Sequence, residues 1–312
     1  MDLIAQCPRL FDEGIINLLH PAAGPLLDGV MKGLTLLGNP FFYIIVLALL
    51  YWCVDKKTAI LVGIVFFFSV VMNALAKVLF ETPRPNPEKL NEPIRRLFER
   101  HAPRSPGFPS GHAQNVTAFW GGLIYFTRSR AAWLAGVPLM VLVPYSRIYL
   151  GVHFPGDILG GYCLALVSLA IAIPATSLGR LRCSLPGLPA ALAAMAIPWL
   201  VYPLLPDLFL LRILSFCSGC AAGIILSGEI NDFDSRNRFH IQGIKTLIGL
   251  GGLGMIMLAF SPLPKMVPLH YARFLLSGFW ITWGAPLIFN RIPALAHGSN
   301  SPPATPPAER SF

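Results

Sequence analysis

Apolar residues in this chain come in long blocks separated by short polar turns, a pattern that predicts helices throughout. A helix needs about 20 mostly apolar residues to cross the hydrocarbon core of a bilayer. Such blocks fall at 38–54, 58–80, 110–127, 131–149, 153–174, 188–205, 207–227, 243–261 and 270–290. Several contain Gly or Pro, which membrane helices tolerate when neighbours satisfy the freed backbone groups. Residues 11–36 are patterned differently. There Ile15, Leu18, Leu19, Leu26, Leu27 and Met31 alternate with His20, Asp28 and Lys32, predicting a broken amphipathic helix at the interface or a tilted span. In the polar segment 86–108, Pro93–His101 predicts a short amphipathic helix with Ile94, Leu97 and Phe98 on one face. It reads equally as a cover over a site or as a helix that merely packs on the membrane. The tail from about Ala296, with its SPPATPP run, reads as disordered.

Composition turns these helices into spans. Of 312 residues, 54% are hydrophobic and 12% charged, against about 25% charged in a soluble domain. There is too little charge to skin a soluble protein of this size. Collagen, wholesale disorder and a disulfide scaffold are excluded by the same arithmetic. The expected fold is all-α: a polytopic bundle with a six-helix core, counting 11–36 as its first helix, plus three to four further C-terminal spans. The expected organisation is 1–37, a core 38–180, additional spans 181–295 and the tail 296–312.

The net charge of +9 does not point to nucleic acid, because the cations sit in short loops between apolar blocks. The six cysteines lie mostly in or beside apolar stretches, and the Cys217/Cys220 pair has no nearby His or carboxylate to make a metal site. Asp2, Arg9, Asp12 and Glu13 interrupt the N-terminus, which therefore does not read as a signal peptide. Lys56, Lys57, Arg128, Arg130, Arg180, Arg182, Arg236, Arg238, Lys245 and Arg291 fall on one side of the spans as drawn, and the positive-inside rule makes that side cytoplasmic. The cluster Glu229, Asp232 and Asp234 then lies in a cytoplasmic loop and reads as a solvated turn. Arg84, Lys89, Arg95, Arg96, Arg100 and Arg104 break the bias on the opposite side.

Ionisable groups at the ends of membrane helices are costly, which makes them candidates for function. Lys77 ends the second span, Arg84 follows in the loop, Ser110-Gly111-His112 opens the third, Arg147 closes the fourth, and His153 with Asp157 opens the fifth. All of these share the non-cytoplasmic face. Lys77, Arg84 and Arg147 suit a tetrahedral oxyanion, with Arg able to grip two oxygens. Ser110 sits at an N-cap, so the Gly111 and His112 amides face outward from a positive helix end. Gly111 lets the backbone approach an anion closely. His153 and Asp157 fall on one helical face if the helix begins early enough. The carboxylate would then fix the imidazole tautomer for attack on phosphorus, leaving His112 as general acid. At a helix start, His153 is expected to lie outside the packed core.

The ordered set Lys77-x6-Arg84-Pro85, Pro109-Ser110-Gly111-His112 and Ser146-Arg147-x5-His153-x3-Asp157 resembles the three-part signature of the type-2 phosphatidic acid phosphatase superfamily. That superfamily also holds glucose-6-phosphatases, sphingosine-phosphate phosphatases, polyprenyl-diphosphate phosphatases and vanadium haloperoxidases. The resemblance covers roughly 73–160. It implies that His153 is a nucleophile forming a phosphohistidine, oriented by Asp157, that His112 protonates the leaving group, and that Lys77, Arg84, Ser110, Gly111 and Arg147 hold phosphoryl oxygens. It implies no metal or other cofactor, and the sequence offers no carboxylate cluster for Mg²⁺. The expected substrate is a phosphorylated or pyrophosphorylated lipid, met at the non-cytoplasmic face of a bacterial inner membrane in preference to the endoplasmic reticulum. A sugar-phosphate hydrolase, or a transporter that binds phosphate without cleaving it, remain the alternatives.

Overall fold

The structure, a computed structural model, describes residues 7–20, 24–103, 105–178, 187–227 and 233–296. Arg104, Arg180, Arg182, Cys183, Glu229, Asp232 and the tail beyond Ala296, all weighed above, lie outside them. Among the described residues every long element is a helix. In chain order these are α1 (Glu13–Leu19), α2 (Pro25–Leu36), α3 (Pro40–Cys53), α4 (Lys56–Phe80), α5 (Glu92–His101), α6 (Gly111–Thr127), α7 (Arg130–Tyr149), α8 (Pro155–Leu178), α9 (Gly187–Val201), α10 (Leu208–Ser227), α11 (Phe239–Ala259), α12 (Val267–Phe279), α13 (Ala285–Arg291) and the short α14 (Pro293–Ala296).

Among the described residues, six helices are long and apolar enough to cross a bilayer: α4, α7, α8, α10, α11 and the run Val267–Arg291. That last run is α12 and α13 joined through one π-helical turn at Trp280–Gly284. A seventh crossing is available if α2 and α3, bent by 59° at their junction, count as one. Of the blocks read from the sequence as spans, that at 110–127 ends where drawn and that at 188–205 ends short. The 17-residue α6 stops where Arg128 adopts a left-handed φ of 50° and caps it. The 15-residue α9 stops just before Pro203 and Pro206, neither of which can extend a helix.

The chain divides into two compact units. The first comprises Met1–Ala48, Lys57–Ser184 and Leu205–Leu214. In it α6 packs against both α7 and α8, and α2 packs on α7. Its centre is aromatic, with the Tyr43 ring 4.6 Å from Phe119 and 5.2 Å from Phe66. α5 buries Ile94 and Leu97 and leaves its Arg-rich face outside, where Glu92 pairs with Arg95 and Arg96. Ile94 packs with Phe11, Ile16 and Phe154, and Leu97 with Met31, Tyr149 and Val152. The helix predicted within 86–108 thus clamps the N-terminal helices to the ends of α7 and α8.

The second unit comprises Leu49–Lys56, Leu185–Leu204 and Ser215–Phe312. Here α10 and α12 approach through glycine: a Cβ on Gly278 would fall 2.1 Å from the Phe216 carbonyl oxygen, and one on Gly219 would fall 2.0 Å from that of Leu275. Small residues of this kind let membrane helices touch backbone to backbone. Trp52, fully buried, donates its indole N–H to Ile281 O at 2.8 Å, and Trp280 donates to Gly249 O at 2.9 Å. Gly278→Val would force the α10–α12 contact apart. Overpacking of this kind costs about 1–3 kcal/mol, so a lower thermal midpoint in detergent is expected, and an unchanged midpoint would contradict the close contact.

Candidate active site

Four helix ends and one loop converge. Lys77 comes from the last turn of α4, Arg84 from the following loop, Gly111 and His112 from the first turn of α6, and Arg147 from the last turn of α7. His153 comes from the segment before α8. All six line one cavity of about 410 Å³. Pro103, Ser105 and Pro106 complete one wall, so the 86–108 segment reaches the cavity through its return leg and not through α5. Ser110 and Asp157 stand behind the wall, fully buried. Ser110 is the N-cap of α6, but its hydroxyl makes no capping bond and its Oγ has no partner among the described residues. Its N–H instead donates to Asp157 O at 2.9 Å, pinning the start of α6 to the start of α8.

Helix α8 begins at Pro155, the favoured N1 residue, so His153 precedes the helix and does not share a helical face with Asp157. The two meet because Asp157, in the first turn, reaches backward. Its Oδ2 accepts the N–H of Phe154 at 3.0 Å, as an N3 carboxylate does in a capping box, and meets His153 Nδ1 at 2.9 Å. The expectation that His153 lies outside the packed core is corrected. It is 2% exposed, because the chain entering α8 passes under α5 and the N-terminal helices.

On its other side His153 Nε2 lies 3.3 Å from Arg84 Nη1. A guanidinium has only donors and a carboxylate only acceptors, so the two neighbours fix one tautomer. The proton is on Nδ1, and Nε2 is unprotonated, its lone pair turned to Arg84 at the cavity wall. Burial, then the charges of Arg84, Arg147 and Lys77, push the His153 imidazolium well below the usual histidine range, so the ring is neutral. Burial also pulls Arg84 down to about 10, with Asp157 acting in the opposite direction, and it stays cationic at neutral pH.

Two of the cations, Lys77 and Arg84, are held by backbone carbonyls. Lys77 Nζ donates to Pro106 O at 2.6 Å, and Arg84 donates to Val152 O at 2.6 Å and Ser105 O at 2.9 Å. Arg147, 4% exposed, donates Nη1 to Thr35 Oγ1 at 2.7 Å, and its Nε has no partner among the described residues. Three cations and one carboxylate leave a surplus of positive charge at one wall, suited to a multiply charged oxyanion. Among the described residues, no three His, Cys, Asp or Glu side chains stand together as a metal site would need.

Sequence reasoning overlooked five residues here. Asn73 and Asn115 line the cavity. Gln114, fully buried, bonds to Asn73 at 2.7 Å, and Thr35 supports Arg147. Gly38 is the fifth: a Cβ there would fall 2.6 Å from His112 Cδ2, so only glycine leaves room for that ring. The signal for Asn73 was present in the sequence, since Ser69, Asn73 and Lys77 fall at four-residue steps on one face of α4.

Comparison with known proteins gives a concordant picture. Residues 57–178 match the PAP2 superfamily, and 211–297 match the PAP2 superfamily phosphatase transmembrane extension. The chain is 31% identical over 177 residues to an undecaprenyl-diphosphatase of Sulfolobus acidocaldarius, covering 55% of this chain and 82% of the relative. It is 32% identical over 170 residues to phosphatidylglycerophosphatase B of Bacillus subtilis, covering 50% and 78%. It is 30% identical over 148 residues to sphingosine-1-phosphate phosphatase 2 of Mus musculus, covering 46% and 40%.

Gly38→Ala is expected to displace His112 and lower phosphate-ester turnover about tenfold, in line with the cost of small misplacements in an active site. Inhibition by inorganic phosphate should stay near the wild-type level, because the three cations are untouched. Equal losses in turnover and phosphate affinity would show that the strain spreads beyond His112.

Proposed function

The chain belongs to the PAP2 superfamily and is an integral, multi-pass membrane phosphatase, a phosphoric monoester hydrolase, and we propose that it cleaves lipid phosphates or pyrophosphates through a covalent phosphohistidine. The observation that carries this reading is the fixed tautomer of His153. Asp157 takes the Nδ1 proton at 2.9 Å, and Arg84 faces Nε2 from the cavity wall at 3.3 Å. A bare anion-binding site has no use for a neutral, oriented imidazole whose lone pair points into an oxyanion pocket.

In the first step His153 Nε2 attacks phosphorus and the bond to the leaving oxygen breaks, while His112 donates that oxygen a proton. Asp157 stabilises the positive charge that grows on the ring. Lys77, Arg84 and Arg147, with the N-terminal amides of α6, hold the equatorial oxygens, supplying the stabilisation that a metal clamp gives elsewhere. Water then cleaves the phosphorus–nitrogen bond, with His112 now accepting a proton. A lipid substrate fits because Pro40, Val70, Ala74, Val78 and Phe209 give the same cavity an apolar side. The relatives named as acting on an undecaprenyl diphosphate, a phosphatidylglycerophosphate and a sphingosine phosphate favour the same class. The positive-inside rule supports a non-cytoplasmic site, since Lys57, Arg128 and Arg130 lie at the opposite ends of α4, α6 and α7 from the cavity. In a bacterial inner membrane this is the periplasmic side.

Two outcomes are expected. Phosphate release in EDTA should persist, and should vanish in His153→Ala, across a panel of phosphatidic acid, a sphingoid-base phosphate, a polyprenyl pyrophosphate and glucose 6-phosphate. Loss in EDTA restored by Mg²⁺ would overturn the metal-free mechanism, and preference for glucose 6-phosphate would overturn the lipid assignment. His112→Ala should slow alkyl phosphates about 10²–10⁴-fold, the usual worth of general acid catalysis, and leave the nitrophenolate burst from an aryl phosphate, whose leaving group needs no proton, close to wild type. A burst slowed as much as alkyl turnover would sink the general-acid role.

A further inference from the structure

Asn73 is buried at 5% exposure on the face of α4 that borders the cavity. Its amide orientation is determined twice over. Nδ2 lies 3.3 Å from the carbonyl oxygen of Pro109, which can only accept. It also lies 2.7 Å from Gln114 Oε1. Gln114 is itself fixed, because its Nε2 donates to the Ser69 carbonyl oxygen at 2.7 Å and to Ser69 Oγ at 2.8 Å. Both protons of Gln114 are committed to Ser69, so Oε1 faces Asn73 and demands a donor. Both protons of Asn73 are committed in turn. Oδ1 is therefore the free end, beside Gly111 on the cavity wall, and takes no hydrogen bond from the described residues. A Cβ on Gly111 would sit 3.2 Å from it.

An acceptor is out of place on the wall of an oxyanion site, where phosphoryl oxygens call for donors. The hydrolysis reading supplies one species with a proton to give: the water that cleaves the phosphohistidine. It must surrender one proton to a base, and its second proton needs an acceptor that fixes the direction of the lone pair. Asn73 Oδ1 stands beside Gly111, the residue preceding His112. We propose that Asn73 and His112 together position the hydrolytic water, so that Asn73 is a catalytic residue of the second step alone, held in register by the Ser69–Gln114 relay.

The step balances. Water oxygen bonds to phosphorus as the phosphorus–nitrogen bond breaks, and that electron pair returns to His153 Nε2. One water proton passes to His112. The other stays on the oxygen, hydrogen-bonded to Asn73, and leaves as part of inorganic phosphate.

This inference rests on the phosphohistidine reading, and burst kinetics separate the two. The full-length protein in detergent would be mixed with nitrophenyl phosphate, whose leaving group makes the second step limiting. The nitrophenolate burst then reports phosphoenzyme formation, and the steady state reports its breakdown. Asn73→Leu is expected to keep a burst rate close to wild type and slow the steady state about tenfold or more, with phosphoenzyme accumulating in alkaline-quenched samples. Gln114→Leu frees the Asn73 amide to turn and should give a milder defect in the same step. A burst also shows that each variant is folded. Bursts and steady states that fall together, or variants that form no phosphoenzyme where wild type does, would overturn the role of Asn73. Absence of a burst and of trapped phosphoenzyme in wild type as well would overturn the phosphohistidine reading, and this inference with it.

Discussion

Much of the site hangs on Asp157, a carboxylate shut away from water at the start of α8. Burying such a group is costly unless its oxygens are engaged. Here one oxygen is engaged: Oδ2 caps the helix through Phe154 N–H and holds His153, while Oδ1 has no partner among the described residues; the Asp157 backbone carbonyl takes the Ser110 N–H. One residue therefore starts a helix, sets a tautomer and pins the start of α6, which bears His112, to the start of α8, which His153 precedes. Gly107 keeps the return loop close, since a Cβ there would crowd Asp157 Oδ2 at 3.2 Å and Pro83 O at 3.0 Å. The loop is fastened again where Thr82 takes the N–H groups of Gly107 and Phe108, each at 2.9 Å.

The three cations impose the complementary constraint. Placed at helix ends with little water, they need acceptors that do not neutralise them. Backbone carbonyls meet that need, because they satisfy N–H groups and leave the net charge intact. Pro106, Ser105 and Val152 serve Lys77 and Arg84 in this way. A carboxylate at the same positions would have formed a closed ion pair and removed the attraction for an anion. The 103–109 leg is thus an acceptor-lined wall that keeps the charges available, and α5 anchors that leg from outside by packing on the N-terminal helices.

Much of this was legible in the sequence, and the limits have physical causes. The spans were visible because hydrocarbon imposes a length, and the eight motif residues because ionisable groups at helix ends stand out against apolar neighbours. The end of α9 was drawn too far. Hydropathy cannot see the break imposed by Pro203 and Pro206. The pairing of His153 with Asp157 was anticipated, but its route was not: spacing suggests a shared helical face, whereas the structure uses a side chain reaching back over a helix start. Ser69, Asn73 and Gln114 were missed for another reason. Uncharged amides and hydroxyls inside a span carry little hydropathy signal, and Asn73 and Gln114 lie 41 residues apart in the chain. Only the four-residue spacing of Ser69, Asn73 and Lys77 hinted at a polar stripe.

That stripe shows how direction is carried through a membrane helix. A charge acts at a distance and needs no particular rotamer to be felt, so Lys77, Arg84 and Arg147 can share an anion loosely. An amide acts through one oxygen and one nitrogen, and is useful only if it cannot turn around. The source of that direction is the carbonyl of Ser69, a backbone group that can only accept. From there it passes through Gln114 to Asn73, with Pro109 confirming it at the end. Each link uses both protons of an amide nitrogen, so reversing either amide would set like against like in a buried site, acceptor against acceptor at Pro109 or Ser69, at a cost of about 1–3 kcal/mol for each unsatisfied group. The site therefore combines two kinds of order: a diffuse electrostatic attraction set by cations on carbonyls, and a directional arrangement set by amides. The first suffices to bind a phosphoryl group. Choosing which atom attacks it, and from which side, needs the second.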